Sequence, residues 1–75
     1  MKIGEKVKYL RRHAVMTQEE LAKLAGTSRT TIIYIEKDKP VNVGSKVLEG
    51  IAQALDVPMS ELFLPVTVRP SRTNN

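Results

Sequence analysis

Residues 17 to 37, TQEELAKLAGTSRTTIIYIEK, decide the fold of this 75-residue chain. They begin with a capping box, in which the Thr17 hydroxyl can accept from the backbone N–H of Glu20 while the Glu20 carboxylate accepts from that of Thr17. Gly26 ends this first helix, because glycine adopts the left-handed backbone that follows a helix at the least cost. Ser28 can then cap a second helix. The stretch therefore predicts a helix-turn-helix.

The second helix of this pair, roughly Arg29 to Glu36, has apolar side chains on both sides. At about 100° per residue, Ser28, Ile32 and Ile35 fall on one side, which we expect to face the core. The opposite side combines apolar and basic residues: Arg29, Thr30, Ile33, Tyr34 and Lys37. Scattered surface hydrophobes are common, but arginine can fork onto guanine and isoleucine can pack on a thymine methyl. The pattern favours a surface that reads a DNA major groove.

The same stretch resembles the helix-turn-helix of the phage repressor and Cro-type family, also called the XRE family, whose pattern runs T-Q-E-E-L-A-x-x-x-G-x-S-x-x-T-I-x-x-I-E. The chain matches it at Thr17, Gln18, Glu19, Glu20, Leu21, Ala22, Gly26, Ser28, Thr31, Ile32, Ile35 and Glu36. The resemblance covers roughly residues 3 to 64. It implies an all-α, lambda-repressor-like domain of five helices over residues 1–64, followed by a C-terminal tail, residues 65–75.

The resemblance also implies roles for individual side chains. Gln18 and Ser28 would contact phosphate from the starts of helices 2 and 3. Lys37 and Lys39 would hold phosphates beside the groove. Four residues of helix 3 would reach base edges: Arg29, Thr30, Ile33 and Tyr34. Because the family often has polar or basic residues where this chain has Ile33 and Tyr34, the recognised DNA sequence cannot be copied from a relative.

Two further positions follow from the family pattern. An arginine seven residues before the glutamine of helix 2 pairs in the family with the glutamate that closes the recognition helix; here these residues are Arg11 and Glu36. We therefore expect a partly buried ion pair between helices 1 and 3. Asp38 stands where the family often has glycine. Since aspartate tolerates the left-handed backbone less well than glycine, the family pattern does not determine the path of the loop over residues 37–44.

Periodicity predicts the remaining elements. Helix 1, over residues 3–13, has a buried stripe of Ile3, Val7, Leu10 and Ala14. Its outer face carries Lys2, Lys6, Lys8 and Arg12. We expect these four cations to be solvated and favour this role over direct contact with phosphate. Helix 2 has a buried stripe of Leu21, Leu24 and Ala25. Ser45 is expected to cap helix 4, whose apolar face is Val47, Leu48, Ile51, Ala52 and Leu55. Pro58 introduces a short helix 5 with Met59, Leu62 and Phe63.

The C-terminal region leaves two questions open. Met59, Phe63 and Leu64 either form a dimer face or simply close the core. The tail contains two prolines and has polar ends, so we expect most of it to be disordered. The alternatives are a short strand of residues 66–68 that pairs across a dimer, and a DNA-contacting arm that carries Arg69 and Arg72.

Size and composition narrow the classes of protein. A chain of 75 residues forms one small domain. It has no cysteine, and its single histidine, His13, has no partner for a metal site. No apolar run reaches the roughly 20 residues of a membrane span, and no signal peptide is recognisable, so we expect a cytoplasmic protein. The net charge of +4 is concentrated in residues 1–46, as in nucleic-acid binders.

These features together predict a sequence-specific regulator of transcription that binds double-stranded DNA, with a repressor as the expected type. It would bind a pseudo-palindromic operator as a homodimer, with helix 3 in the major groove. The alternative is a protein-interaction module, such as an antitoxin or adaptor domain, and a regulatory protein partner fits either hypothesis. An enzyme is not expected, since no nucleophile with a base and no cofactor site can be assembled.

Overall fold

Residues 3–39 and 43–66 are described by the computed structural model. They form four α-helices and one short 3-10 helix: α1 (Ile3–His13), α2 (Gln18–Ala25), α3 (Arg29–Glu36), α4 (Ser45–Ala54) and the 3-10 helix (Met59–Phe63). Within these two ranges there is no β-strand, so the all-α prediction is confirmed. Five α-helices are not confirmed. The last segment instead closes with i to i+3 hydrogen bonds from Glu61 N–H to Pro58 and from Leu64 N–H to Glu61, at 2.9 and 3.2 Å.

Local signals set the ends of α2 and α3. Glu20 N–H donates to the Thr17 hydroxyl at 3.0 Å, and Thr17 N–H donates to the Glu20 carboxylate at 2.8 Å, which completes the capping box. Gly26 then takes φ +74°, and its N–H bonds to the carbonyls at the end of α2. The Ser28 hydroxyl accepts from Thr31 N–H at 3.2 Å and starts α3. These helices begin and end where the sequence predicts.

The start of α4 differs from the prediction. Gly44 occupies the N-cap position, and its carbonyl accepts from the N–H groups of Val47 and Leu48 at 3.1 and 3.3 Å. Ser45 is therefore the first helical residue and makes no cap. The predicted apolar face is nevertheless present, because Ile51 is fully buried and the other four residues are buried or packed against the core.

One core holds the domain together. Each helix contributes one fully buried side chain, in chain order Val7, Leu21, Ile32, Ile51 and Leu62. Full burial of such a side chain is worth about 1.5–3 kcal/mol before the loss of conformational entropy is counted. Since these residues come from all five segments, each segment's position depends on the same cluster.

Several side chains lie elsewhere than predicted. Ala14, which was predicted to lie on the buried stripe of helix 1, is exposed, because α1 ends one residue earlier at His13. Leu24 is 63% exposed, because the buried side of α2 runs through Leu21, Ala22 and Ala25 instead. Lys6 is only 6% exposed and does not cover the outside of α1. Its ammonium lies 2.8 Å from a Glu61 carboxylate oxygen and donates to the Pro65 carbonyl at 3.4 Å. It therefore ties α1 to the 3-10 helix.

A close contact joins α4 to α2. A methyl group at Gly50 would collide with the backbone carbonyl of Ala25, the last residue of α2. Backbone cannot move aside as a flexible side chain can, so glycine allows α4 to pack directly against the residue before the Gly26 turn. The contact fixes the end of α2 and with it the turn that leads into α3.

Several predictions fall outside the described residues. These are the position of Lys2, the disorder predicted for the tail beyond residue 66, the proposed arm with Arg69 and Arg72, and residues 67 and 68 of the proposed strand. Across residues 3–39 and 43–66, no helix is long and apolar enough to span a membrane.

Candidate nucleic-acid interface

The outward side of α3 carries the residues predicted to read DNA. Ile32 and Ile35 face the core, at 0% and 4% exposure. Arg29, Thr30 and Lys37 are exposed. On the same side Tyr34 is 42% exposed and Ile33 is half-buried. Since α3 has only two turns, these five side chains form one continuous surface, which we call the α3 face: Arg29, Thr30, Ile33, Tyr34 and Lys37.

The helical projection placed Ser28 on the core side of helix 3, and this prediction is wrong. Ser28 is exposed, since its extended backbone (φ −94°, ψ 155°) precedes the helix and turns the residue away from the helical arc. Its hydroxyl hydrogen-bonds the Thr31 hydroxyl at 2.9 Å in addition to capping the helix. Exposure at a helix N-terminus, where backbone N–H groups lack helical partners, is compatible with the predicted phosphate contact.

An ion-pair network lies behind the α3 face. Arg11 Nε lies 2.6 Å from Glu36 Oε2, and a second guanidinium nitrogen donates to Glu36 Oε1 at 3.1 Å. The remaining terminal nitrogen donates to the Met16 carbonyl at 2.8 Å. The Arg11 and Glu36 side chains are only 11% and 3% exposed. This is the ion pair predicted from the sequence, in bidentate geometry.

Gln18 completes this network. Its side-chain amide donates to Glu36 Oε1 at 3.1 Å, a contact that the sequence did not predict. The amide therefore holds α2 to α3. The network joins α1, the turn at Met16, α2 and the end of α3, so it sets the angle at which the α3 face is presented.

The start of the loop after α3 shows how Asp38 replaces glycine, while residues 40–42 of the loop lie outside the described residues. Asp38 adopts the left-handed conformation with φ +56°, and its carboxylate accepts from Gly4 N–H at 3.3 Å. Aspartate is among the non-glycine residues that adopt this conformation most readily. The Lys39 N–H bonds back to the Tyr34 carbonyl at 2.9 Å, and the side chains of Lys37 and Lys39 are exposed beside the end of α3.

A second apolar surface lies at the C-terminal end. Leu62 closes the core, and Met59 packs against it with partial burial. Phe63 and Leu64 remain 42% and 51% exposed. Of the three residues whose role the sequence left open, Met59 therefore packs against the core, whereas Phe63 and Leu64 stay exposed.

The described residues contain no cluster of three or more His, Cys, Asp and Glu side chains that could hold a metal ion. His13 instead stacks against Tyr9, with ring centroids 4.1 Å apart, and its Nδ1 lies 3.0 Å from the Tyr9 carbonyl. It ends α1, which is the role expected from its isolation in the sequence.

Comparison with known proteins identifies relatives over most of the chain. A family model described as helix-turn-helix matches residues 7–62. An uncharacterised HTH-type transcriptional regulator of Methanocaldococcus jannaschii is 42% identical over 59 residues, which make up 79% of this chain and 88% of that protein. The immunity repressor protein of Bacillus phage phi105 is 34% identical over 62 residues, 83% of this chain but 42% of the phage protein.

A solved structure shares the arrangement of helices. It is that of SinR from Bacillus subtilis, a master regulator for biofilm formation, in complex with DNA. The TM-score is 0.75 at 30% sequence identity, and the superposition covers 81% of this chain and 97% of that chain. The family resemblance drawn from the sequence is therefore confirmed.

Proposed function

Because this chain belongs to the phage repressor and Cro-type helix-turn-helix family, we propose that it is a sequence-specific, double-stranded DNA-binding repressor of transcription. It binds a pseudo-palindromic operator as a homodimer and inserts α3 into the major groove. It acts in the cytoplasm without enzymatic activity or a cofactor. The observation that carries this proposal is the exposed α3 face, held from behind by the buried Arg11–Glu36–Gln18 network.

The chemistry of the α3 face supports base reading. Arg29 can fork onto the O6 and N7 atoms of guanine, and Thr30 can hydrogen-bond a base edge. Ile33 and Tyr34 offer apolar area for thymine methyl groups. SinR, which has the same arrangement of helices, is seen on DNA.

Phosphate contacts come from the ends of the helices. Ser28 and the first turn of α2 at Gln18 offer hydroxyl and backbone N–H donors, while Lys37 and Lys39 are exposed cations beside the end of α3. Such contacts fix register and orientation without carrying sequence information. They would hold α3 at one depth in the groove, so that the same side chains meet the same base pairs each time.

The homodimer and the repressor role rest on different observations. Phe63 and Leu64 are exposed beside the buried Leu62, and an apolar surface of this kind is stabilised by a second copy of the chain. Two reading helices about 34 Å apart would then meet successive major grooves of a pseudo-palindrome. The role as a repressor follows the immunity repressor of phage phi105, with which most of this chain aligns.

In-vitro selection from random duplex DNA at two salt concentrations tests the proposal. We expect enrichment of a pseudo-palindrome and a steep loss of affinity with increasing salt, since phosphate contacts release counterions. Absence of an enriched sequence, with no salt-dependent affinity for DNA, would refute it and favour a protein-interaction module. Sedimentation that finds a monomer both free and on the selected duplex would refute the dimer alone.

The role of Arg29 has its own test. Arg29→Ala should weaken binding to the selected operator by about 1–3 kcal/mol and relax the preference at one base pair in each half-site. Lys46→Ala is the matched control, because Lys46 is also an exposed cation but lies on α4, outside the α3 face. An unchanged base preference in Arg29→Ala would show that Arg29 does not read bases.

A further inference from the structure

A basic groove runs beside the α3 face, between α1 and the first turn of α2. It is open to solvent, has a volume of about 580 Å³, and is lined by side chains of α1, α2 and α3. A water molecule occupies about 30 Å³ in the liquid. The groove is therefore larger than the site of a single small ion.

Four exposed cations line this groove: Lys8, Arg12, Arg29 and Lys37. Lys8 and Arg12 are four residues apart on α1, so they lie on the same side of that helix about 6 Å apart along its axis. Arg29 and Lys37 mark the two ends of α3, about 12 Å apart. The groove thus extends along the whole of α3, with positive charge on both of its walls.

The acidic groups in the groove do not cancel this charge. Glu36 is already neutralised by Arg11 in the bidentate ion pair, and its side chain is 3% exposed. Glu19 is the other carboxylate of the lining. Since Arg11 and Glu36 offset each other, the four exposed cations face one exposed acid, which leaves a strong field for an anion that lies alongside α3.

From this geometry we infer that Lys8 and Arg12 bind the DNA backbone, on the phosphates that flank the major groove at the N-terminal side of α2. The inference rests on the proposed function and extends its footprint from α2 and α3 to α1. Charge patterning along the sequence favours a merely solvated face for these two residues. Their place in a groove shared with Arg29 and Lys37 favours phosphate contact instead, because those two residues also belong to the α3 face that the proposed function lays against DNA.

These contacts would position the protein without specifying sequence. Loss of a phosphate contact weakens binding by the same factor on every duplex, whereas loss of a base contact alters the choice of sequence. The slope of log affinity against log salt becomes shallower by about 0.9 for each phosphate contact that is removed from B-form DNA. Removal of both contacts should therefore make the slope shallower by about 1.8 for each bound protomer, or about 3.6 for the homodimer.

The test measures this slope for the full chain with two duplexes, one of mixed sequence and one carrying the operator obtained by selection. The double variant Lys8→Gln/Arg12→Gln is compared with Lys23→Gln/Lys46→Gln, which removes the same charge from exposed lysines on α2 and α4 that do not line the groove. Thermal melts verify that both variants fold, as expected for exposed positions.

The groove variant should lose about 3.6 units of slope as a homodimer, about 1.8 for each protomer, and weaken both duplexes equally. The control should change the slope by less than half as much. Lys8→Arg/Arg12→Lys, which keeps both charges, should retain the wild-type slope. Equal slopes for the groove variant and the control would overturn the inference while the proposed function stands. Absence of salt-dependent DNA binding by the wild-type chain would overturn both.

Discussion

Substitution of the buried pair Arg11 and Glu36 should reveal strong energetic coupling. The two side chains are 11% and 3% exposed and joined by two hydrogen bonds. Removal of one partner from a buried pair strands the other charge and typically costs about 3–5 kcal/mol. A chain of 75 residues has a total stability of roughly 4–11 kcal/mol. Arg11→Met or Glu36→Leu alone should therefore remove a large part of it.

The double variant Arg11→Met/Glu36→Leu should be far less damaged than the sum of the two single variants. Its two apolar side chains can pack together, and no charge remains buried. The Met16 carbonyl and the Gln18 amide lose their partners, but both residues are half-buried and can turn to water. We expect a coupling energy of at least about 2 kcal/mol, near the upper end for residues in direct contact.

Urea unfolding of the wild type and the three variants measures these energies by linear extrapolation. Each kcal/mol corresponds to about 4–8 °C in the melting temperature of a domain of this size, so a thermal scan gives an independent estimate. Costs below about 1 kcal/mol for each single variant would mean that the pair behaves like an exposed surface ion pair. Additivity within about 0.5 kcal/mol would mean that the two groups act separately. Either result would refute the role of the network as a buried unit.

Two further substitutions test the backbone. Gly50→Ala should destabilise the domain by about 1–3 kcal/mol in urea unfolding, because its methyl group meets the Ala25 carbonyl. Gln53→Ala, at an exposed position of the same helix, should change stability by less than about 0.5 kcal/mol, and an equal effect would contradict the packing argument. Val15 has φ +55° and is 89% exposed, so Val15→Asn should raise stability by about 1 kcal/mol by relieving left-handed strain; a lower melting temperature in that variant would contradict this.

The parts of the fold that the sequence predicts correctly are those with short-range signals. The capping box at Thr17, the turn at Gly26 and the cap at Ser28 each lie within four residues of the helix end they set. Leu24 shows the limit of periodicity. At helical spacing, either Leu24 or Ala22 could join Leu21 on the buried side of α2. Which of the two is buried depends on where α4 packs. That contact involves Gly50, which is far along the chain from α2.

Lys6 shows a second limit. Its position in the sequence fits the charged side of an amphipathic helix, and its ion-pair partner Glu61 belongs to the last helical segment. No local pattern joins two residues that are so far apart in the chain. A lysine can bury its aliphatic stem and still bring its ammonium to a carboxylate at the edge of the core. The burial of Lys6 therefore depends on the contact between α1 and the 3-10 helix.

In the candidate site too, features set by local sequence are predictable and features set by contacts between distant residues are not. The composition of the α3 face follows from the sequence, since helical geometry alone separates Ile32 and Ile35 from Arg29 and Tyr34. The role of Gln18 does not follow from the sequence, because its amide can donate equally well to a phosphate oxygen and to the Glu36 carboxylate. Which acceptor it bonds depends on how closely α2 approaches the end of α3. A side chain already bonded to Glu36 before DNA arrives positions α3 in advance. Binding then need not order that contact, which lowers the entropic cost of forming the complex.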